Sequence, residues 1–302
     1  MKKTVRLLSI MAVIVAGCTT ACGQNAIKNT ANDSGKVKVM TSFYTMYDFA
    51  QKIGGEKVEI TNMVPSGTEP HDWEPSAIDI RNMEDADVFI YNGAGMEHWA
   101  EDILKSLDNS ELITVEASKG VELIREGKEN DPHVWLDPEN AKIEMEHIKD
   151  AFIEADKDNA EYYNKNYETY SKQLDGLNQE FEETLSQVTN KDIIVAHKAF
   201  GYLCKAYGLN QIAIEGLMPD SEPDPARMEE IIQLAKKKEI NTIFFEELVS
   251  PKVANTIAKE IGAKTEVLNP LEGLSEEQMD AGEDYFSVMR TNLKQIKKAL
   301  EN

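Results

Sequence analysis
Residues 158–188 contain no proline and a single glycine, Gly176. Within this segment Tyr163, Tyr167, Tyr170, Leu174, Leu177, Phe181 and Leu185 recur at steps of four and three. That spacing puts them on one apolar stripe of a continuous helix. A helix over the whole segment would be about 47 Å long, more than the width of a small domain. Two uses are open to it: pairing with a second copy as a coiled coil, or crossing between two bodies of the same chain. The stripe is short for a free coiled coil and both flanks are strong α/β segments, so the second use is expected.

On the N-terminal side, strands are expected at 36–40, 58–64, 88–91 and 112–115, with helices at 47–53 and near Ser76 and Glu97. On the C-terminal side, strands are expected at 192–196, 211–214, 242–246 and 264–268. Asp224-Pro225 and Ser250-Pro251 each set a capping side chain before a proline at the first helical position. A last helix is expected from about Met279 to the end. Strands alternating with helices imply parallel sheets covered by helices. The expected divisions are an N-terminal α/β lobe at 37–157, a linker helix at 158–188 and a C-terminal α/β lobe at 189–302.

Residues 1–17 read as a secretory signal. Lys2, Lys3 and Arg6 form its charged end, and 7–16 is an apolar run broken only by Ser9. The run is too short to remain as a membrane-spanning helix. Val15-Ala16-Gly17-Cys18 resembles the bacterial lipobox, in which cleavage leaves a lipid-modified cysteine as the new N-terminus; the expected anchor is Cys18. Cys22 is a second candidate, with a poorer match because Thr19 stands three residues before it. Small polar residues at 18–36 read as a flexible tether to the folded body. The expected location is therefore extracytoplasmic, lipid-anchored to the cell membrane.

Composition narrows the function classes. With 41% hydrophobic residues the chain can build a core, which excludes global disorder. With 54 acidic and 32 basic residues it carries a formal charge of −22 and would be repelled by nucleic-acid phosphates. Three cysteines are too few for a disulfide scaffold or a four-cysteine zinc site. No HExxH, CxxC, GxGxxG or GxxxxGK[ST] pattern is present.

The chemistry rests on five histidines. His98 and His147 are expected on helices, as surface or half-buried bystanders. His71 lies in a loop framed by Pro65, Pro70 and Pro75, His133 in a turn framed by Pro132 and Pro138, and His197 directly after the apolar strand ending at Ala196. In open α/β sheets ligands bind at the carboxyl ends of strands. Singly, each of the three reads equally well as a hydrogen-bonded loop residue; together, at comparable positions, they suggest a metal site. Zinc prefers four ligands of nitrogen, oxygen or sulfur. The first candidate for the fourth is Glu272, which follows a strand, is set by Pro270 and precedes Gly273. Glu246, Glu247 and Glu215 are rivals, as ligands or as partners that orient an imidazole.

Four motifs then carry a family resemblance: His71-Asp72-Trp73-Glu74-Pro75-Ser76, Asp131-Pro132-His133-Val134-Trp135-Leu136-Asp137-Pro138, His197-Lys198-Ala199-Phe200-Gly201-Tyr202 and Asn269-Pro270-Leu271-Glu272-Gly273. The chain resembles the metal-binding receptor lipoproteins of bacterial ABC uptake systems that serve zinc and manganese, over roughly residues 37–300. The resemblance implies two Rossmann-like α/β lobes with parallel sheets, joined by one long linker helix, and a metal held in the interlobe cleft. It maps the ligands onto His71, His133, His197 and Glu272, two from each lobe, and implies a monomer that delivers its ion to a permease and its ATPase. Manganese members of the family typically carry a carboxylate where this chain has His197, and an aspartate as the fourth ligand. Three imidazoles and one carboxylate suit zinc better. Many zinc members also carry a long His- and acid-rich loop before the second ligand histidine; residues 119–132 contain no histidine. The competing classes are a zinc hydrolase with an open fourth position, which a bound Glu272 would close, and a surface adhesin that uses metal for stability alone.

Overall fold
The computed structural model describes residues 35–219 and 223–301. The signal, most of the tether and the lipidation candidate Cys18 lie outside the described residues. Among those described, no helix is long and apolar enough to cross a membrane.

The first half contains strands β1 (Val37–Thr41), β2 (Val58–Asn62), β3 (Val88–Tyr91) and β4 (Ile113–Glu116), with helices α1 (Tyr44–Gly54), α2 (Ala77–Glu84) and α3 (Ala100–Ser106) between them. The strands pair in parallel in the order β2-β1-β3-β4. A two-residue hairpin, β5 (Arg125–Glu126) with β6 (Glu129–Asn130), follows. Helix α4 (Pro138–Ala155) opens on the Asp137 side chain, which accepts from the Glu139 N–H, with Pro138 in the first turn.

Helix α5 (Ala160–Leu185) is the expected long helix, 26 residues and so about 39 Å. Its stripe is spent inside the chain rather than on a second copy. Tyr163 packs on Phe152 of α4, with ring centroids 5.6 Å apart, and Tyr163, Leu174, Leu177, Phe181 and Leu185 are all buried.

The second half repeats the first. Strands β7 (Asp192–Val195), β8 (Asn210–Ala213), β9 (Thr242–Phe245) and β10 (Lys264–Val267) form a parallel sheet in the order β10-β9-β7-β8. Counted within each half, both sheets run 2-1-3-4, so each has its switch point beside its first strand. Helices α6 (Gly201–Tyr207), α7 (Pro225–Lys237), α8 (Lys252–Ile261), α9 (Glu276–Asp280) and α10 (Tyr285–Leu300) complete the chain. Phe181 of α5 stacks on Tyr207 of α6, and Tyr170 of α5 stacks on Phe286 of α10. One buried apolar cluster thus runs from the first sheet through α5 into the second half.

Several local expectations are corrected. The last helix is two, because Gly282 turns at φ 78 and Asp284 caps a new start at Tyr285. Asp224 caps α7 as expected, but Ser250 does not cap α8, whose flanking residue is Pro251 with no side-chain cap bond. His98 is not on a helix: it sits in the turn before α3, exposed and 3.6 Å from Glu74. His147 is on α4, half-buried, with Nδ1 2.9 Å from the Ala117 carbonyl oxygen.

Candidate metal centre
Each candidate ligand is delivered by a segment beyond the carboxyl end of a strand. His71 follows β2, and its backbone N–H donates to the Glu69 carboxylate at 3.0 Å, which fixes the proline-framed loop. His133 follows the hairpin. Its N–H and its Nδ1 both meet Asp131 Oδ1, at 3.0 and 2.7 Å. A Cβ on Gly201 would collide with the Asp131 carboxylate, so α6 can start beside Asp131 only with glycine there. His197 lies two residues beyond β7, with Nδ1 2.8 Å from Glu246 Oε1 and Nε2 2.7 Å from the Leu217 carbonyl oxygen. Glu272 lies on the loop after β10.

The structure brings these four together. One ligand atom from each of His71, His133, His197 and Glu272 lies within 4.8 Å of the others, and all four residues are buried. His71 Nε2 is 3.2 Å from His133 Nε2 and 3.3 Å from Glu272 Oε1. His133 Nε2 is 2.9 Å and His197 Nδ1 3.8 Å from the same oxygen. A tetrahedral zinc with bonds near 2.0–2.1 Å requires edges of about 3.3 Å. The measured separations straddle that value, so the cluster is of the size such an ion needs.

The rival acids fall elsewhere. Glu246 is buried against His197 and outside the converging four. Glu247 meets Asn269 Nδ2 at 3.3 Å and Gln278 Nε2 at 2.5 Å. Sequence reasoning did not assign Asp131 its place against His133, although Asp131 stands in the same motif, two residues away. It also missed Glu97, whose buried carboxylate accepts from Ser42 Oγ and the N–H groups of Asn92 and Gly93, at 2.6, 2.9 and 2.9 Å. That carboxylate braces the loop beyond β3.

Electrostatics favour replacing protons by a cation. Burial opposes charge on His197, yet Glu246 and Glu272 outweigh it and push its pKa up to about 10. Burial likewise opposes charge on His133, and the hydrogen bond and charge of Asp131, with Glu272, raise its pKa nonetheless. Burial alone would raise Glu272, but His71 and His197, with hydrogen bonds from His133 and His71, hold it well below the usual carboxylate range. The surroundings of these side chains thus favour positive charge, which a bound cation would supply. A cavity of about 500 Å³ lined by His71, Asp72, Met96, His98, Pro132 and Leu217 lies beside it.

Two parallel α/β halves across one long helix, with three imidazoles and a carboxylate converging at the ends of both sheets, define a two-lobed metal-receptor class. The family model described as ZnuA, zinc-uptake complex component A, periplasmic, matches residues 39–299. The chain belongs to that family, one of solute-binding proteins rather than enzymes. It is 42% identical over 306 residues to the high-affinity zinc uptake system protein ZnuA of Bacillus subtilis, covering 95% of this chain and 96% of that one. It is 38% identical over 317 residues to the zinc-binding lipoprotein AdcA of Streptococcus pneumoniae, covering all of this chain and 62% of AdcA's length. The crystal structure of the Zn(II)-bound ZnuA-like domain of that AdcA superposes with a TM-score of 0.81 at 42% identity, covering 89% of this chain and 100% of the domain.

Proposed function
We propose that this chain is an extracytoplasmic solute-binding protein that captures Zn2+ and delivers it to the permease of an ABC transporter, with the partner ATPase driving uptake. The observation that carries this reading is the convergence of His71, His133, His197 and Glu272 within 4.8 Å of one another, with His71, His133 and Glu272 at separations near the edge of a zinc tetrahedron. In this reading the first lobe, 37–157, supplies His71 and His133, and the second, 189–302, supplies His197 and Glu272. Zinc then clamps the lobes, and the linker at 158–188 keeps closure small. The printed names of the relatives, a zinc uptake protein and a zinc-binding lipoprotein, support zinc as the cargo. So does the donor set, since manganese favours oxygen-rich sites. The protein acts as a monomer and is tethered through a lipid on Cys18. A competition titration of the mature protein should find one tightly bound zinc per chain and far weaker manganese. Manganese preferred at equal free concentration would overturn the assignment.

A further inference from the structure
Glu272 stands on a turn that its own lobe does not hold alone. Leu271, just before it, is fully buried and adopts φ 64, the left-handed region a leucine disfavours. From the second lobe, Asn269 Oδ1 accepts from the Leu271 N–H at 2.7 Å, and Asn292 holds the Asn269 backbone through N–H and C=O at 3.0 and 2.7 Å. The next two carbonyls are taken by the first lobe. Trp135 Nε1 donates to the Pro270 oxygen at 2.7 Å, and Thr45 Oγ1 donates to the Leu271 oxygen at 2.5 Å. Beyond Glu272, Ser66 Oγ and the Gly67 N–H both donate to the Leu274 oxygen, at 2.6 and 3.1 Å.

We infer that Thr45 and Trp135 are positioning residues for the metal-binding carboxylate, and that their bonds across the lobe interface set how fast zinc leaves. The inference rests on the zinc-capture reading. A disfavoured backbone conformation persists only where its surroundings over-determine it. Here two of the groups that hold the turn belong to the opposite lobe, and both are fully buried, so water does not replace them. Trp135 also ties the carboxylate to its imidazole neighbours: its ring packs on His133 with centroids 5.5 Å apart, and its carbonyl accepts from Tyr285 of the second lobe at 2.7 Å. Separating the lobes breaks these bonds, lets the Leu271 turn relax, and withdraws Glu272 from the three histidines. Release of zinc and loss of the latch are therefore one event.

The test compares wild type, Thr45→Val, Thr45→Ser and Trp135→Phe in the mature protein loaded with zinc. Release is followed by chelator chase, and melting is recorded with and without zinc. Thr45→Val removes the hydroxyl at nearly constant volume and should speed release about tenfold, the loss expected for one buried hydrogen bond. It should also shrink the zinc-induced rise in melting temperature, and Thr45→Ser should restore both. Trp135→Phe should act in the same direction, and decides the matter if Thr45→Val does not fold. A merely structural role would lower both melting temperatures equally and leave release unchanged; that result overturns the inference. If wild type itself binds no zinc, the zinc-capture reading has failed instead.

Discussion

Glu272 is the only carboxylate among the converging four, so replacing it with glutamine isolates its charge at nearly constant size. The side chain is buried, with Oε1 2.9 Å from His133 Nε2 and 3.3 Å from His71 Nε2. No water-rich surroundings screen it. Removing one member of a buried, hydrogen-bonded charge pair costs about 3 kcal/mol or more, which is over a hundredfold in zinc affinity. A ligand that binds only the folded state stabilises it in proportion to the logarithm of its affinity. At fixed excess zinc the same ~3 kcal/mol should therefore vanish from the zinc-induced stabilisation. At about 2–4 °C per kcal/mol for a protein of this size, the rise in melting temperature should shrink by roughly 6–12 °C. Glu246→Gln touches only His197 among the candidate ligands, through the 2.8 Å contact to Nδ1. Changes of that kind cost about tenfold to a hundredfold in metal affinity, a loss of roughly 3–10 °C. Scanning calorimetry of the three proteins with and without zinc decides by rank order. If Glu272→Gln keeps the full rise while Glu246→Gln abolishes it, the fourth ligand has been misassigned.

His71→Ala, His133→Ala and His197→Ala should each weaken zinc binding by orders of magnitude in a chelator competition, whereas His98→Ala and His147→Ala should leave it nearly unchanged; an effect of His147→Ala equal to that of His197→Ala would contradict the site. Zinc affinity should rise with pH through and beyond neutrality rather than level off above the ordinary imidazole value of about 6.5, because His197 holds its proton up to about 10 and must lose it to bind. Calorimetric titrations in buffers of different ionisation enthalpy should therefore detect proton release at pH 7, and none would refute the argument. Glu144 on α4 is fully buried, both its carboxylate oxygens find no hydrogen-bond partner among the described residues, and burial together with Glu97 pushes its pKa well up. The fold thus favours the neutral acid, so wild-type stability falls as pH rises above the ordinary carboxylate value of about 4.3. Glu144→Gln should stabilise by ~1–3 kcal/mol at pH 7 and by little at pH 4, and thermal melts showing an equal change at both would rule this out. Cys18→Ala should release the protein from cells with zinc binding intact, and a wild-type N-terminus at residue 23 without lipid would count against the anchor.

The framework was legible where a short apolar run sits between turn signals. All eight strands of the two parallel sheets fall within a residue or two of their expected places, and the central ones are the plainest, because β-branched runs such as Ile193-Ile194-Val195 suit a strand buried on both faces. Strand and helix ends were less legible, since hydrogen-bond partners set them. Val58–Asn62 stops short of Val64, although the Met63 N–H still meets the carbonyl of Thr41, the last residue of β1, and the Val64 N–H that of Ser42 just beyond it. The hairpin at 125–130 left no trace in the sequence, having two residues per strand and no periodicity. Helix α4 was expected only as the bearer of His147, although Asp137-Pro138 carries the same cap signal as Asp224-Pro225.

The candidate site was legible in its histidines and less so in its carboxylate, and the reason lies in the fold. In a parallel α/β sheet every strand ends on the same edge, so Glu246 after β9 and Glu272 after β10 qualify equally by position. What separates them is the lobe interface. Glu246 faces a histidine of its own lobe, while the turn bearing Glu272 is met by Thr45 and Trp135 from the other. Those pairings span 226 and 135 residues, beyond the reach of any local pattern. Each half taken alone offers only two of the four donors, fewer than a zinc ion takes. The site is thus a property of the register between the halves. The stripe on α5 that packs against α4, α6 and α10 is what holds that register, so the least chemical segment of the chain is a precondition for its chemistry.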